Sequence, residues 1–108
     1  MEMYLENGWL VDVKEQAQSI PTEFALRQNF PNPFNPATTV QFSLPRVERV
    51  RITVYGILGK MVGQILDEVR EAGEYTVHYT PTNLASGTYL YRMEAGEFIA
   101  VRRFLLIK

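Results

Sequence analysis

Apolar and polar residues alternate with a period of two through most of the chain, the pattern of strands that bury one face. Val40, Phe42 and Leu44 are separated by Thr39, Gln41 and Ser43, and Pro45 closes the run. Val50, Ile52 and Val54 alternate in the same way with Arg49, Arg51 and Thr53, and Gly56-Ile-Leu-Gly59 supplies a short hairpin loop into an arm from Lys60 to Leu66. Ala72-Gly73 turns the chain into Tyr75, Val77 and Tyr79, Gly87 opens a strand with Tyr89, Tyr91 and Met93 on one face, and Glu94-Ala-Gly-Glu97 makes a last hairpin. Helical periodicity is nearly absent. Six strands between Thr38 and Ile107, read as a meander, with an edge strand near Phe24 to Leu26, predict an all-β, immunoglobulin-like antiparallel β-sandwich of about seven strands.

The first nineteen residues fit that unit less well. Tyr4-Leu5 and Trp9 to Val13 flank Asn7-Gly8, the dipeptide that best accepts positive φ at both corners of a type I′ turn. Lys14 to Ser19 is polar and runs into Ile20-Pro21, which reads as a linker. Residues 1–19 are therefore either the tail of a preceding region or extra strands of the sandwich, and residues 20–108 are the domain.

A different signal occupies Asn29 to Pro36, which contains Pro31, Asn32, Pro33, Phe34, Asn35 and Pro36. Proline fixes its own φ and pushes the preceding residue into extended geometry, so the segment is neither helix nor central strand but a stiff surface loop. Phe30 and Phe34 are expected to dock on the sandwich, Phe34 as a plug, with the asparagines satisfying nearby backbone groups.

Length and composition narrow the function. At 108 residues the chain holds one core. A formal net charge of -1 argues against nucleic acid, which requires a cationic excess. Without cysteine there is no disulfide, thiolate metal site or thiol nucleophile. Apolar runs fall far short of the roughly 20 residues that span a bilayer, so no direct membrane insertion is expected. Met1 to Glu15 lacks the basic leader and continuous apolar segment of a signal peptide.

Catalytic chemistry is sparse. His78 is the only histidine, on the polar side of its strand, with no second ligand to complete a metal site. Glu68 with Glu71, and Glu94 with Glu97, fall at expected turns with nothing apolar to separate their pKa values. No catalytic residue, metal or cofactor is expected. Tyr75, Tyr79, Tyr89 and Tyr91 suggest a sugar platform at first sight, but period-two tyrosines on neighbouring strands are more often cross-strand core pairs.

The segment from Phe98 to Lys108 is the candidate binding element. Val101, Arg103, Leu105 and Ile107 lie on one face and Ala100, Arg102, Phe104, Leu106 and Lys108 on the other, so neither face is fully polar. Such a strand suits cover on both sides: by the sandwich on one, by a receptor on the other, with Arg103 and Lys108 meeting acidic groups and backbone pairing adding affinity.

From Ile20 onward the chain resembles the type A C-terminal sorting domain of type IX secretion cargo from Bacteroidetes, a family related to the immunoglobulin-like domain of the flagellar hook-capping protein. The resemblance lies in Leu26-Arg-Gln-Asn-Phe-Pro-Asn-Pro-Phe-Asn-Pro36, Phe42-Ser-Leu-Pro45, Val54-Tyr-Gly-Ile-Leu-Gly-Lys-Met-Val62, Ala72-Gly73, Leu84-Ala-Ser-Gly-Thr-Tyr89 and Arg103 to Lys108. Gly59, Gly73, Ser86, Gly87 and Tyr89 are its structural positions beside the Asn-Pro loop. Gly56 stands where that family usually has an aspartate, and Tyr79-Thr80 where it has a tryptophan and aspartate.

The resemblance implies a sorting signal in Arg102, Arg103, Phe104, Leu105, Leu106, Ile107 and Lys108. It implies as partners an upstream cargo domain, the type IX translocon with its shuttle proteins, and a sortase-like cysteine protease that cuts between Lys14 and Leu26. The cargo would cross the periplasm and end secreted or on the cell surface. An immunoglobulin-like adhesion or glycan-binding module is the alternative, and a structural spacer a third reading, since the fold alone separates none of these.

Overall fold

The structure, a computed structural model, describes residues 20–108. The hairpin expected around Asn7-Gly8 lies outside the described residues. Seven strands follow in order: β1 (Ala25–Leu26), β2 (Thr38–Leu44), β3 (Glu48–Gly56), β4 (Met61–Arg70), β5 (Gly73–Tyr79), β6 (Gly87–Ala95) and β7 (Phe98–Leu106). The described residues contain no helix. Antiparallel pairing makes a three-stranded sheet in the order β1-β2-β5 and a four-stranded sheet in the order β4-β3-β6-β7. This is the expected all-β, immunoglobulin-like sandwich, edge strand included.

Connectivity departs from a meander. Consecutive strands pair at β1-β2, through the long Asn-Pro loop, and at the β3-β4 and β6-β7 hairpins, whereas the links from β2 to β3, β4 to β5 and β5 to β6 each cross between sheets. Strand β4 also runs past Leu66 to Arg70, with register shifts that leave Val62 and Ile65 as extra residues opposite β3. The bulges break the alternation before Leu66, and beyond it Asp67, Glu68 and Val69 are exposed, so the outer half of this strand carries no clear periodic signal either.

Alternation does place the core. Val40, Phe42 and Leu44 from one sheet meet Val50, Ile52, Val54, Tyr91 and Met93 from the other, all but fully buried. Burying each such side chain stabilises the fold by about 1.5–3 kcal/mol. The outward residues of β2 are less wet than their polarity suggests: Ser43 is buried and its hydroxyl has no hydrogen-bond partner among the described residues. The four tyrosines do face the core, but β5 and β6 lie in opposite sheets, so Tyr75 and Tyr79 are not cross-strand partners of Tyr89 and Tyr91. Tyr75 stacks instead on Phe42, its partner across the β2-β5 ladder.

Two tyrosines also pin the ends of their strands. Tyr75 Oη donates to the Glu71 carbonyl at 2.7 Å and Tyr89 Oη to the Ala85 carbonyl at 2.6 Å, each closing the turn before its own strand. Tyr91 reaches further, donating to the Arg27 carbonyl at 2.7 Å and so tying β6 to the segment after β1. Burial pushes the Tyr91 hydroxyl from its ordinary value of 10.0 up to about 12, and burial together with Tyr89 raises Tyr79 as well.

The neutral phenol is therefore favoured by folding, and the stability it contributes is complete below about pH 10 and disappears as pH rises toward about 12. Thermal unfolding followed across alkaline pH should show a level midpoint up to about pH 10 and a fall above it, with a shallower fall in Tyr91→Phe. An equal alkaline fall in both proteins would exclude Tyr91 as its source.

Candidate functional site

The β7 strand lies at the edge of its sheet, paired only with β6. Its alternation sends Phe98, Ala100, Phe104 and Leu106 inward, the last two almost fully buried, and leaves Ile99, Val101, Arg103, Leu105 and Ile107 outside. Phe104 is an aromatic hub. Phe34, Tyr79, Tyr89 and Tyr91 surround it with ring centroids 4.9–6.4 Å away, so both sheets and the Asn-Pro loop converge on one side chain. Arg102 sits at the open side of the sandwich, where its Nε donates to the Leu26 carbonyl at 3.0 Å.

The Asn-Pro loop is a strap along this strand. Phe34 is buried against Phe104 and forms a parallel bridge with Leu106: its N–H donates to the Leu105 carbonyl and its carbonyl accepts from the Ile107 N–H, both at 3.0 Å. Asn32 Oδ1 accepts the Leu105 N–H at 2.9 Å, and Gln28 Nε2 donates to the Arg103 carbonyl at 2.6 Å. Inside the loop, Asn29 Nδ2 donates to the Pro31 carbonyl and to Thr38 Oγ1. The plug and the roles of Asn29 and Asn32 are as expected; Phe30 is not, for its ring is 78% exposed.

These bonds correct the idea of receptor strand addition at the end of β7. The outward backbone groups from Arg103 to Ile107 are already taken by Gln28, Asn32 and Phe34, so that stretch of edge has nothing left to offer an incoming strand. Only side chains remain there for a partner to meet.

Of the residues expected to form a signal, Arg102, Arg103, Leu105, Ile107 and Lys108 are exposed, whereas Phe104 and Leu106 belong to the core. The Lys108 N–H donates to Ser86 Oγ at 2.8 Å, which fastens the end of the segment to the loop before β6. Gly59 closes the β3-β4 hairpin at φ 93, where a side chain would be strained, and Gly73 and Gly87 begin β5 and β6.

Other candidates change less. His78 is exposed, its Nδ1 3.1 Å from Thr39 Oγ1. Glu68 and Glu94 lie within strands, not turns, and are ion-paired with Arg70 and with Arg51 and Arg92 respectively. The described residues bring together no group of three or more metal-ligating side chains.

Two features were missed. Gln28 has no local pattern to betray its bond to a strand 75 residues away. The hairpin loop Ile57-Leu58, 68% and 96% exposed, did carry a signal: two large apolar residues between glycines, where turn residues are normally small or polar.

Comparison with known proteins adds one match. The family described as secretion system C-terminal sorting domain matches residues 28–108, which takes in every strand from β2 to β7. No curated protein and no solved structure matches the chain.

Proposed function

Since the chain belongs to the secretion system C-terminal sorting domain family, and so carries a type IX sorting signal of a secreted or cell-surface protein, we propose that the signal is read from the outer side of β7. Arg103, Leu105, Ile107 and Lys108 make the contacts, with Arg102 beside them, while Phe104 and Leu106 hold the strand in place. The observation that carries this reading is the division of β7 into a locked inner row, built on Phe104 and Leu106, and an exposed outer row of aliphatics around Arg103, with Arg102 and Lys108 exposed beside it. Such a row fits a partner that offers carboxylates next to an apolar surface, and the strap keeps it rigid beforehand, which lowers the ordering cost of binding.

In this reading residues 20–108 are the sorting domain and residues 1–19 the end of the cargo and its linker. Translocon and shuttle proteins read the folded domain in the periplasm, and a sortase-like cysteine protease removes it at the surface. Ala25 and Leu26 are hydrogen-bonded into the three-stranded sheet, so the cut belongs upstream of them, between Lys14 and Phe24. The domain has no catalytic part to play in this scheme. The rival adhesion reading loses its aromatic platform, because Tyr75, Tyr79, Tyr89 and Tyr91 are packed inward.

Deleting the last five residues is a poor test, since it also removes Phe104 and Leu106 from the core. Charge reversal at exposed positions avoids this. With a reporter fused to the domain in a bacterium that has the secretion system, Arg103→Glu with Lys108→Glu should lower surface reporter by about tenfold or more, the factor that about 1.4 kcal/mol of lost binding produces. Thermal unfolding of the purified domain should be unchanged. Export at the unmodified level would reject β7 as the element that is read.

A further inference from the structure

Charge is segregated along the strands. Thr53 pairs with Gln64 on one side and Arg92 on the other, and this row divides the sandwich. Every Asp and Glu of residues 20–108 lies on the side of the row nearer the β4-β5 and β6-β7 turns, and the arginines that form ion pairs do so with these carboxylates.

The opposite end is built from the Asn-Pro loop, the β3-β4 hairpin loop, the link from β5 to β6 and the end of β7. It holds no Asp or Glu among the described residues. It carries Lys60, Arg102, Arg103 and Lys108, none of which joins an ion pair among the described residues.

The same end exposes apolar side chains, led by Leu58 at 96% and followed by Phe30, Ile57 and Met61. These are continuous with the outer side of β7. Met61 pairs with Tyr55, Tyr55 with Leu90 and Leu90 with Arg103, so one row crosses the sheet from the hairpin loop to the proposed signal.

We infer that the docking face is this whole end without Asp or Glu, with the Ile57-Leu58 loop as a second anchor, and that its occupant is an acidic protein surface of the export machinery with an apolar pocket for that loop. The inference rests on β7 being the sorting signal and extends it to a segment more than forty residues upstream. Charge complementarity supports it, because four side-chain cations without an Asp or Glu nearby favour an anionic partner and disfavour cationic ones. Continuity supports it as well. The loop projects from the end of the sheet while Arg103 and Leu105 project from its face, and a concave protein surface reaches both at once where a flat lipid surface reaches one or the other.

The reporter assay tests this with Leu58→Asp and Lys60→Glu, both at exposed positions of the loop, and Val47→Asp as a control in the exposed β2-β3 turn at the acidic end. Surface reporter should fall about tenfold in the two loop variants, the consequence of about 1.4 kcal/mol of lost binding, and stay level in the control. Unmodified thermal unfolding shows that folding is intact, and Lys60→Glu serves if Leu58→Asp folds poorly. If both loop variants export normally while Arg103→Glu with Lys108→Glu does not, the extended face is wrong and the β7 signal stands. If all of them export normally, both readings fail. Sedimentation of the purified domain with phosphatidylcholine vesicles, with and without phosphatidylglycerol, tests the other occupant: anionic-lipid binding that Leu58→Asp abolishes would overturn the protein surface in favour of a membrane.

Discussion

Replacing Phe104 by alanine is expected to destabilise the domain by about 3–5 kcal/mol, the range for removing a large aromatic ring from a closed core. The upper part of that range applies here for a structural reason. Phe104 is 1% exposed, and the rings around it come from β5, from β6 and from the Asn-Pro loop, which are themselves fixed by other bonds. They cannot all collapse inward, so a cavity remains. A single domain has only about 5–15 kcal/mol of total stability, so the variant should be close to unfolding at growth temperature. Urea unfolding of the purified domain measures the loss, with Leu105→Ala as comparison. Leu105 is a neighbour on the same strand but half outside, and should cost less than half as much. Equal losses at the two positions would contradict the hub.

Phe104 also illustrates how far a sequence can be read. Period-two alternation is a local property, so Val40, Phe42 and Leu44, or Val50, Ile52 and Val54, announce their buried faces from neighbours alone. The same pattern on both sides of Phe104 left open which face would be covered. The answer depends on the approach of Phe34 from 70 residues upstream. Pairing of β3 with β6 and the passage from β4 to β5 between sheets are likewise non-local, and a succession of alternating runs looks the same whether it forms a meander or crosses back and forth.

Phe30 and Phe34 show the limit most clearly. Both sit among prolines and both were expected to dock. Only Phe34 lies in register with the edge of β7, where its backbone and ring are held together, while Phe30 bridges Thr39 and turns its ring to solvent. In the candidate site, the cations and aliphatics at the end of the chain were legible as a set of residue types. The strap that rigidifies them was not, because Gln28 and Asn32 act through partners about 75 residues distant.

Phe34→Ala should separate the two ways in which β7 can be recognised. The substitution removes a ring that is 2% exposed and packed edge-on to Phe104 at 4.9 Å, for an expected loss of about 3 kcal/mol or more. Phe30→Ala, on the same loop with its ring in solvent, should change stability by less than about 0.5 kcal/mol. Without its plug the strap detaches, and hydrogen exchange should accelerate at the Leu105 and Ile107 amides, which are now bonded to Asn32 and Phe34. The edge of β7 would then be open. If a receptor adds a strand there, the strap competes with it, and Phe34→Ala should raise export for as long as the domain stays folded. If a receptor reads side chains on a rigid outer row, loosening that row adds an ordering cost and export should fall. The capped edge favours the second outcome, and a rise in export per folded molecule would restore strand addition.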